Sequence, residues 1–218
     1  MGLKFANDDA RPFERDLKMM ERRVRDLQPA LLAFGQHMTT IPARAVRAQA
    51  DPTTGAPWPV LSGLTAGNRR GSGTKALQDT GRLVQSWLAA TPRVDGLTVT
   101  IQSNVAYARL HNEGGTIKPR AAKNLALPLS QKAALGAKRI GVRAYVDSVA
   151  KKTGKKPFVL TSKAGNKFLV VGNRAGGLDF LFLLKKSVTI PARRYAGMGD
   201  KDLQLLRSIL RAHLLGKG

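Results

Sequence analysis

Five short stretches of this 218-residue chain carry residue types that invite a chemical reading. Asp79-Thr80-Gly81 spells the triplet of aspartic proteases. That chemistry needs the triplet in a loop after an apolar strand, where two carboxylates from symmetric copies share one proton. Here Gln78 precedes it, Arg82 follows, and the surrounding spacing is helical. Asp79 therefore reads as a helix cap that accepts hydrogen bonds from the free amides of a first turn. Ser148-Val149-Ala150-Lys151 and Lys152-Thr153-Gly154 spell the Ser-x-x-Lys and Lys-Thr-Gly pair of penicillin-recognising enzymes, but the two abut and cannot face each other across a cleft. The Gly-rich stretches at 63–73 and 172–177 lack the Gly-Lys-Ser/Thr ending that cradles phosphate at a helix start. His111 follows Tyr107 by one helical turn, and Glu113, two residues on, faces elsewhere. Without a nucleophile and an orienting carboxylate, His111 reads as a packed helix end before a glycine stop. The chain reads as a non-enzyme.

Composition narrows the remaining classes. Cysteine is absent, which excludes disulfides and thiolate metal sites. His37, His111 and His213 are far apart and lack ligand spacing, so neither metal nor cofactor is expected. No run approaches the roughly 18 apolar residues of a membrane span. The first ten residues lack the apolar core of a secretory signal, and Ala6 breaks the pattern for myristoylation of Gly2. A soluble protein made in the cytoplasm, without membrane contact, is expected. Net charge is +23 and uneven. Residues 1–110 hold 15 Lys and Arg against 9 Asp and Glu; residues 111–218 hold 22 against 5. Between 118 and 186 there are 16 basic residues and only two acidic ones, Asp147 and Asp179. Lys151, Lys152, Lys155, Lys156, Lys185 and Lys186 make the densest basic surface. Such a field must meet nucleic acid or an acidic protein. Tyr145, Phe158, Phe168, Phe180 and Phe182 are the aromatics of this region and read mostly as strand core, which argues against base recognition.

The elements that must position these residues follow from periodicity and punctuation. Phe13, Leu17, Met20, Val24, Leu27, Leu31, Phe34 and Met38 recur at alternating spacings of four and three, a heptad-like stripe. Pro29 requires a kink, or two helices with Pro29 in the first turn of the second, and Pro42 repeats the problem. The stripe suits a helix packed on a sheet, or a helix packed on a neighbour's copy in an oligomer. Residues 51–76 form a Gly/Pro/Ser/Thr loop with Trp58 as its one large anchor, pinned to its own core or to a neighbouring subunit. Leu77 to Gly115 reads as helix, hairpin, helix, with Asp95-Gly96 at the hairpin turn and Ser103-Asn104 capping the second helix. Asn124 to Ser130 is strand-like. Gln131 to Val149 is helix-permissive with breaks at Gly136 and Gly141. Residues 156–190 read as a small antiparallel meander with turns at 162–166 and 173–177. Asp200 caps a final helix that turns Leu203, Leu206, Ile209 and Leu210 inward. The fold class is α+β: long or kinked N-terminal helices, a central antiparallel hairpin or sheet flanked by helices, a small meander and a C-terminal helix.

Five motifs in order carry a resemblance: Trp58-Pro59-Val60-Leu61-Ser62; Leu77 to Leu83 with Asp79, Arg82 and Ser86; Ser103-Asn104 with Tyr107, Ala108 and His111; Ile190-Pro191-Ala192-Arg193-Arg194; and Gly197 before the terminal helix. Together they resemble the phage virion morphogenesis family, the tail completion proteins of Mu-like phages and their relatives. The resemblance implies a structural virion protein of the neck, at the head-tail junction. There it would complete the tail and join it to a filled head as a ring of six or twelve copies around the DNA path. Implied partners are its own copies, other neck, tail terminator or connector proteins, and non-specific contact with genomic DNA. Trp58, Asp79, Arg82, Tyr107, His111, Pro191 and Arg193 become the candidate interface residues. The organisation expected is a helical segment at 1–50, a loop at 51–76, a core from 77–135 with 188–218, and a basic insertion with the meander at 136–187. The alternatives are a non-specific nucleic-acid-binding protein and, third, an aspartic protease acting through Asp79.

Overall fold

The computed structural model describes residues 11–69, 73–172 and 176–216. Along them run helices α1 (Arg11–Arg25), α2 (Gln28–Ala48), α3 (Gly63–Gly67) and α4 (Arg82–Leu88), then strands β1 (Arg93–Asp95) and β2 (Thr98–Thr100). Helix α5 (Ala108–Glu113) follows, then β3 (Gly115–Ile117), β4 (Leu125–Pro128), α6 (Gln131–Ile140) and α7 (Val142–Thr153). The chain closes with β5 (Lys156–Thr161), β6 (Lys167–Gly172), β7 (Leu178–Lys185), β8 (Val188–Ile190) and α8 (Asp200–Leu215). This is an α+β protein with antiparallel pairing throughout and a C-terminal helix. No described helix is long and apolar enough to cross a membrane. The expected turn at 173–177 lies partly, and the N-terminal decamer wholly, outside the described residues.

The residues fall into two compact units. The first comprises Met1–Pro57, Arg82–Ala106 and Arg194–Gly218. In it the heptad stripe is divided between two helices, with Pro29 in the first turn of α2, where its missing N–H leaves no bond unmade. The two halves of the stripe differ. α1 buries no residue, whereas α2 buries Leu31, Phe34, Ile41 and Val46. Each such side chain contributes about 1.5–3 kcal/mol. α2 continues through Pro42, whose ring is itself fully buried. Gly35 permits close approach, since a Cβ there would lie 2.7 Å from Pro92 Cβ.

Three expectations in this unit are corrected. The helix after Asp79 begins only at Arg82, because Leu77 (φ 62°) and Gly81 (φ 69°) hold left-handed backbone that no helix continues through. The β1–β2 register pairs Asp95 with Thr98, so the two-residue turn is Gly96-Leu97, with Gly96 at φ 55° in its first central position. In α8 the N-cap is Gly199 rather than Asp200, and Leu203 is exposed while the adjacent Asp202 takes the inward place.

The second unit comprises Trp58–Gly81 and Tyr107–Arg193. Its sheet has the order β4-β7-β6-β5, all antiparallel. α6 and α7 cover one face, where Ala133, Tyr145 and Val146 meet Val171 and Phe182. Tyr145 and Phe182 touch edge to face at 6.2 Å. Ser130 caps α6, its hydroxyl oxygen accepting from Ala133 N at 3.1 Å. Gly136 does not break that helix. It makes room, for a Cβ there would lie 2.1 Å from Tyr145 Cδ2. The break falls at Gly141, at φ 85°. The β5–β6 hairpin forms as its sequence predicts, closed by Ser162 N donating to Asn166 O at 2.8 Å. β8 is not a further strand of this meander. It pairs with β3, joining Gly115 to Ile190 and Ile117 to Val188 in a separate two-stranded ribbon.

Candidate functional site

The motif residues of the second unit converge on Arg193. Its side chain is buried although nothing acidic neutralises it in the contacts that follow. Nε donates to the Pro59 carbonyl at 3.0 Å and Nη2 to the Val60 carbonyl at 3.2 Å. Its backbone N donates to His111 O at 2.9 Å. One residue thus clasps the Trp-Pro-Val loop and the end of α5. Trp58 is buried at the loop's base, while Val60 stands 89% exposed at its tip. Gly114 lets the two chains meet, because a Cβ there would lie 2.7 Å from Ala192 N. Pro191, exposed, leads from β8 into this clasp.

The His111 ring touches Tyr107 edge to face at 5.5 Å. Burial, and then the charge of Arg193, push the imidazole pKa below its ordinary value. His111 Nδ1 is buried without a hydrogen-bond partner, so the ring contributes packing rather than a polar link there. Asp79 is exposed in the turn before Gly81, and its Oδ1 faces Arg69 Nε at 4.0 Å. Arg82 opens α4 in the other unit and is exposed. The site therefore unites Trp58, Tyr107, His111, Pro191 and Arg193. Among the described residues no group of three His, Asp or Glu side chains is arranged to hold a metal ion.

One constellation has no counterpart in the motif reading. Asp202, 4% exposed, accepts on Oδ1 from His37 Nε2 at 2.9 Å and Arg44 Nη2 at 2.6 Å. Its Oδ2 accepts from Gly199 N at 3.1 Å. Burial pushes its carboxyl pKa up, but the three donors together hold it below the ordinary carboxylate value. The signal was legible as a small residue at the N-cap with an acid three residues on. A further His pair of contacts, His213 Nε2 to the carbonyls of Asp26 (2.7 Å) and Arg23 (3.2 Å), ties α8 to the end of α1.

The basic charge belongs mainly to the second unit, whose sequence holds 21 Lys and Arg against 4 Asp and Glu. Lys151 and Lys152 end α7, exposed. Lys155 Nζ donates to Gly176 O at 2.5 Å, Lys185 Nζ to Asn166 Oδ1 at 3.0 Å, and Lys186 is exposed. The aromatics of this region, read from the sequence as mostly strand core, divide: Tyr145 is buried and Phe168 half-buried. Phe182 is fully buried, but Phe158 and Phe180 are 38% and 45% exposed.

A family model described as the phage virion morphogenesis family matches residues 8–156. No curated protein and no solved structure matches the chain.

Proposed function

Because the chain belongs to the phage virion morphogenesis family, we propose that it is a structural subunit of the phage neck. On this reading it completes the tail and joins it to the head as an oligomeric ring around the DNA path. The work is assembly: each subunit offers one surface to its neighbour, and the contact closes by rotation. The observation that carries the reading, beyond membership, is the clasp. A buried guanidinium spends its donors on two backbone carbonyls and so holds a loop whose tip is apolar and exposed. That is how a chain presents a fixed docking element rather than a reactive group. Positive potential in the second unit supports fast encounter and register with acidic neighbours.

The test is the mass of the purified protein, alone and with tail tubes, together with a map of the assembled particle. Six or twelve copies at the junction of capsid and tail are expected; a monomer in every state, or its absence from that junction, overturns the reading. The excess of 21 basic over 4 acidic residues in the second unit also favours a second reading, non-specific binding of duplex DNA. An electrophoretic shift by the isolated subunit at physiological salt separates the two.

A further inference from the structure

We propose that α1 is a hinged arm: it hangs by a latch at its C-terminal end and opens as one unit while the rest of its compact unit stays folded. The proposal goes beyond the ring reading and does not depend on it.

Of the 15 residues of α1 only Arg23 is even half-buried; every other one is exposed. A helix of that length is marginal in water on its own, so something other than packing must hold it. Reciprocal contacts with the end of α8 do so. Arg23 Nη1 donates to Leu214 O at 3.2 Å. His213 Nε2 donates to Asp26 O at 2.7 Å and to Arg23 O at 3.2 Å; both partners are carbonyls, which only accept, so Nε2 carries the proton. The last carbonyls of a helix have no partner within it. Here each helix supplies a donor that the end of the other lacks, and the charge of Arg23 also suits the negative end of the α8 dipole. Gly216, at φ 70°, completes the fit, since a Cβ there would collide with the Arg23 guanidinium.

The post is fixed and the joint is loose. α8 is tied near its start to α2 through Asp202, which accepts from His37 and Arg44. Between α1 and α2 stand only Asp26 and Leu27. Pro29 has no N–H to give to the Arg25 carbonyl, so the ladder of helical bonds lapses there. Gln28 N donates to the Asp26 side chain at 3.2 Å. Against the joint lies a cavity of about 330 Å³, lined by Val24, Leu27, Val94 and Leu97 among others, so the joint is not packed on that side.

An element with few buried contacts opens far more often than the core it sits on. Loss of one hydrogen bond raises such an opening roughly two- to tenfold, and by more where the donor is charged. The subunit thereby has two surfaces, one with α1 seated against the end of α8 and one with it released.

The experiment is native-state hydrogen exchange of the full chain, read by mass spectrometry in rising sub-denaturing urea. Wild type is compared with Arg23→Ala combined with His213→Ala. In wild type the α1 amides are expected to be protected, but through an opening nearly indifferent to urea because it exposes little surface, whereas the α2 amides exchange through a urea-dependent one. In the double variant α1 should exchange at least about tenfold faster while α2 keeps its urea dependence, which also shows that the core is folded. Three results overturn the proposal. If α1 and α2 share one protection and one urea dependence in wild type, α1 is part of the core. If α1 exchanges in wild type like an unstructured peptide, nothing latches it. If α1 exchanges equally fast in both proteins, Arg23 and His213 are not the latch.

Discussion

The guanidinium of Arg193 donates from Nε to the carbonyl of Pro59 at 3.0 Å, across 134 positions of sequence. Few side chains do this job interchangeably. A planar fork meets two carbonyls in a fixed geometry, whereas an ammonium is a compact point charge on a flexible stem. Arg193→Ala leaves the Pro59 and Val60 carbonyls without their donor and is expected to cost about 2–3 kcal/mol. Arg193→Lys should fall between it and wild type. The urea midpoint at constant slope measures both, and Trp58 emission in a Trp87→Phe background should shift to the red as the loop loosens. An unchanged midpoint for Arg193→Ala would make the clasp incidental.

His111 should write itself into the pH dependence of stability. Its pKa in the folded chain lies below the ordinary 6.5, through burial first and Arg193 second. On acidification the unfolded chain takes up this proton before the folded one. Stability is therefore full above about 6.5 and declines as pH falls from there towards the folded-state value. His111→Asn should flatten that part of the curve. The measurement is the denaturant midpoint in steps from neutral to mildly acidic pH, and identical slopes for both proteins would refute the assignment.

Asp202 is the acid whose loss should matter most. Its carboxyl is held low by His37, Arg44 and Gly199 against the opposing effect of burial. The stabilisation is present above the ordinary 3.8 and disappears as pH drops through the folded-state value. Asp202→Asn is expected to cost about 2–3 kcal/mol at neutral pH. The gap to wild type should close in strong acid, and a gap independent of pH would show that shape, not charge, is what Asn lacks.

Gly136→Ala reverses the usual sign of its substitution. In an open helix, alanine gains about 1 kcal/mol over glycine. Here the added methyl would meet the Tyr145 ring at 2.1 Å. A loss of about 1–3 kcal/mol is expected instead. Thermal melts of Gly136→Ala alone and combined with Tyr145→Leu check it, since the smaller partner should restore most of the loss.

These cases mark what the amino-acid sequence made legible. Pro29 signalled either a kink or a new helix start, and it stands in a first turn, where its missing N–H costs no bond; the 158–171 hairpin followed from two apolar runs around Ser162-Lys163-Ala164-Gly165-Asn166. Gly136 looked like a breaker because a sequence does not reveal the ring packed against it. Phe158 and Phe180 looked like core because both faces of their strands are apolar, which erases the alternation that would tell inside from outside. The pairing of β3 with β8 was invisible for another reason: three-residue strands some seventy positions apart leave no periodic trace. Of the clasp, the motif residues were evident, but not that Arg193 addresses backbone oxygens rather than an acid.

Ile117 and Val188 stand opposite each other as register partners in that ribbon. Everything between them, including the four-stranded sheet and its two covering helices, thus departs and returns through neighbouring points. In geometric terms the segment is a cassette on a two-strand stem. A tight turn would bridge its ends without displacing either one, so the segment can grow, shrink or be exchanged while the stem keeps its hydrogen bonds.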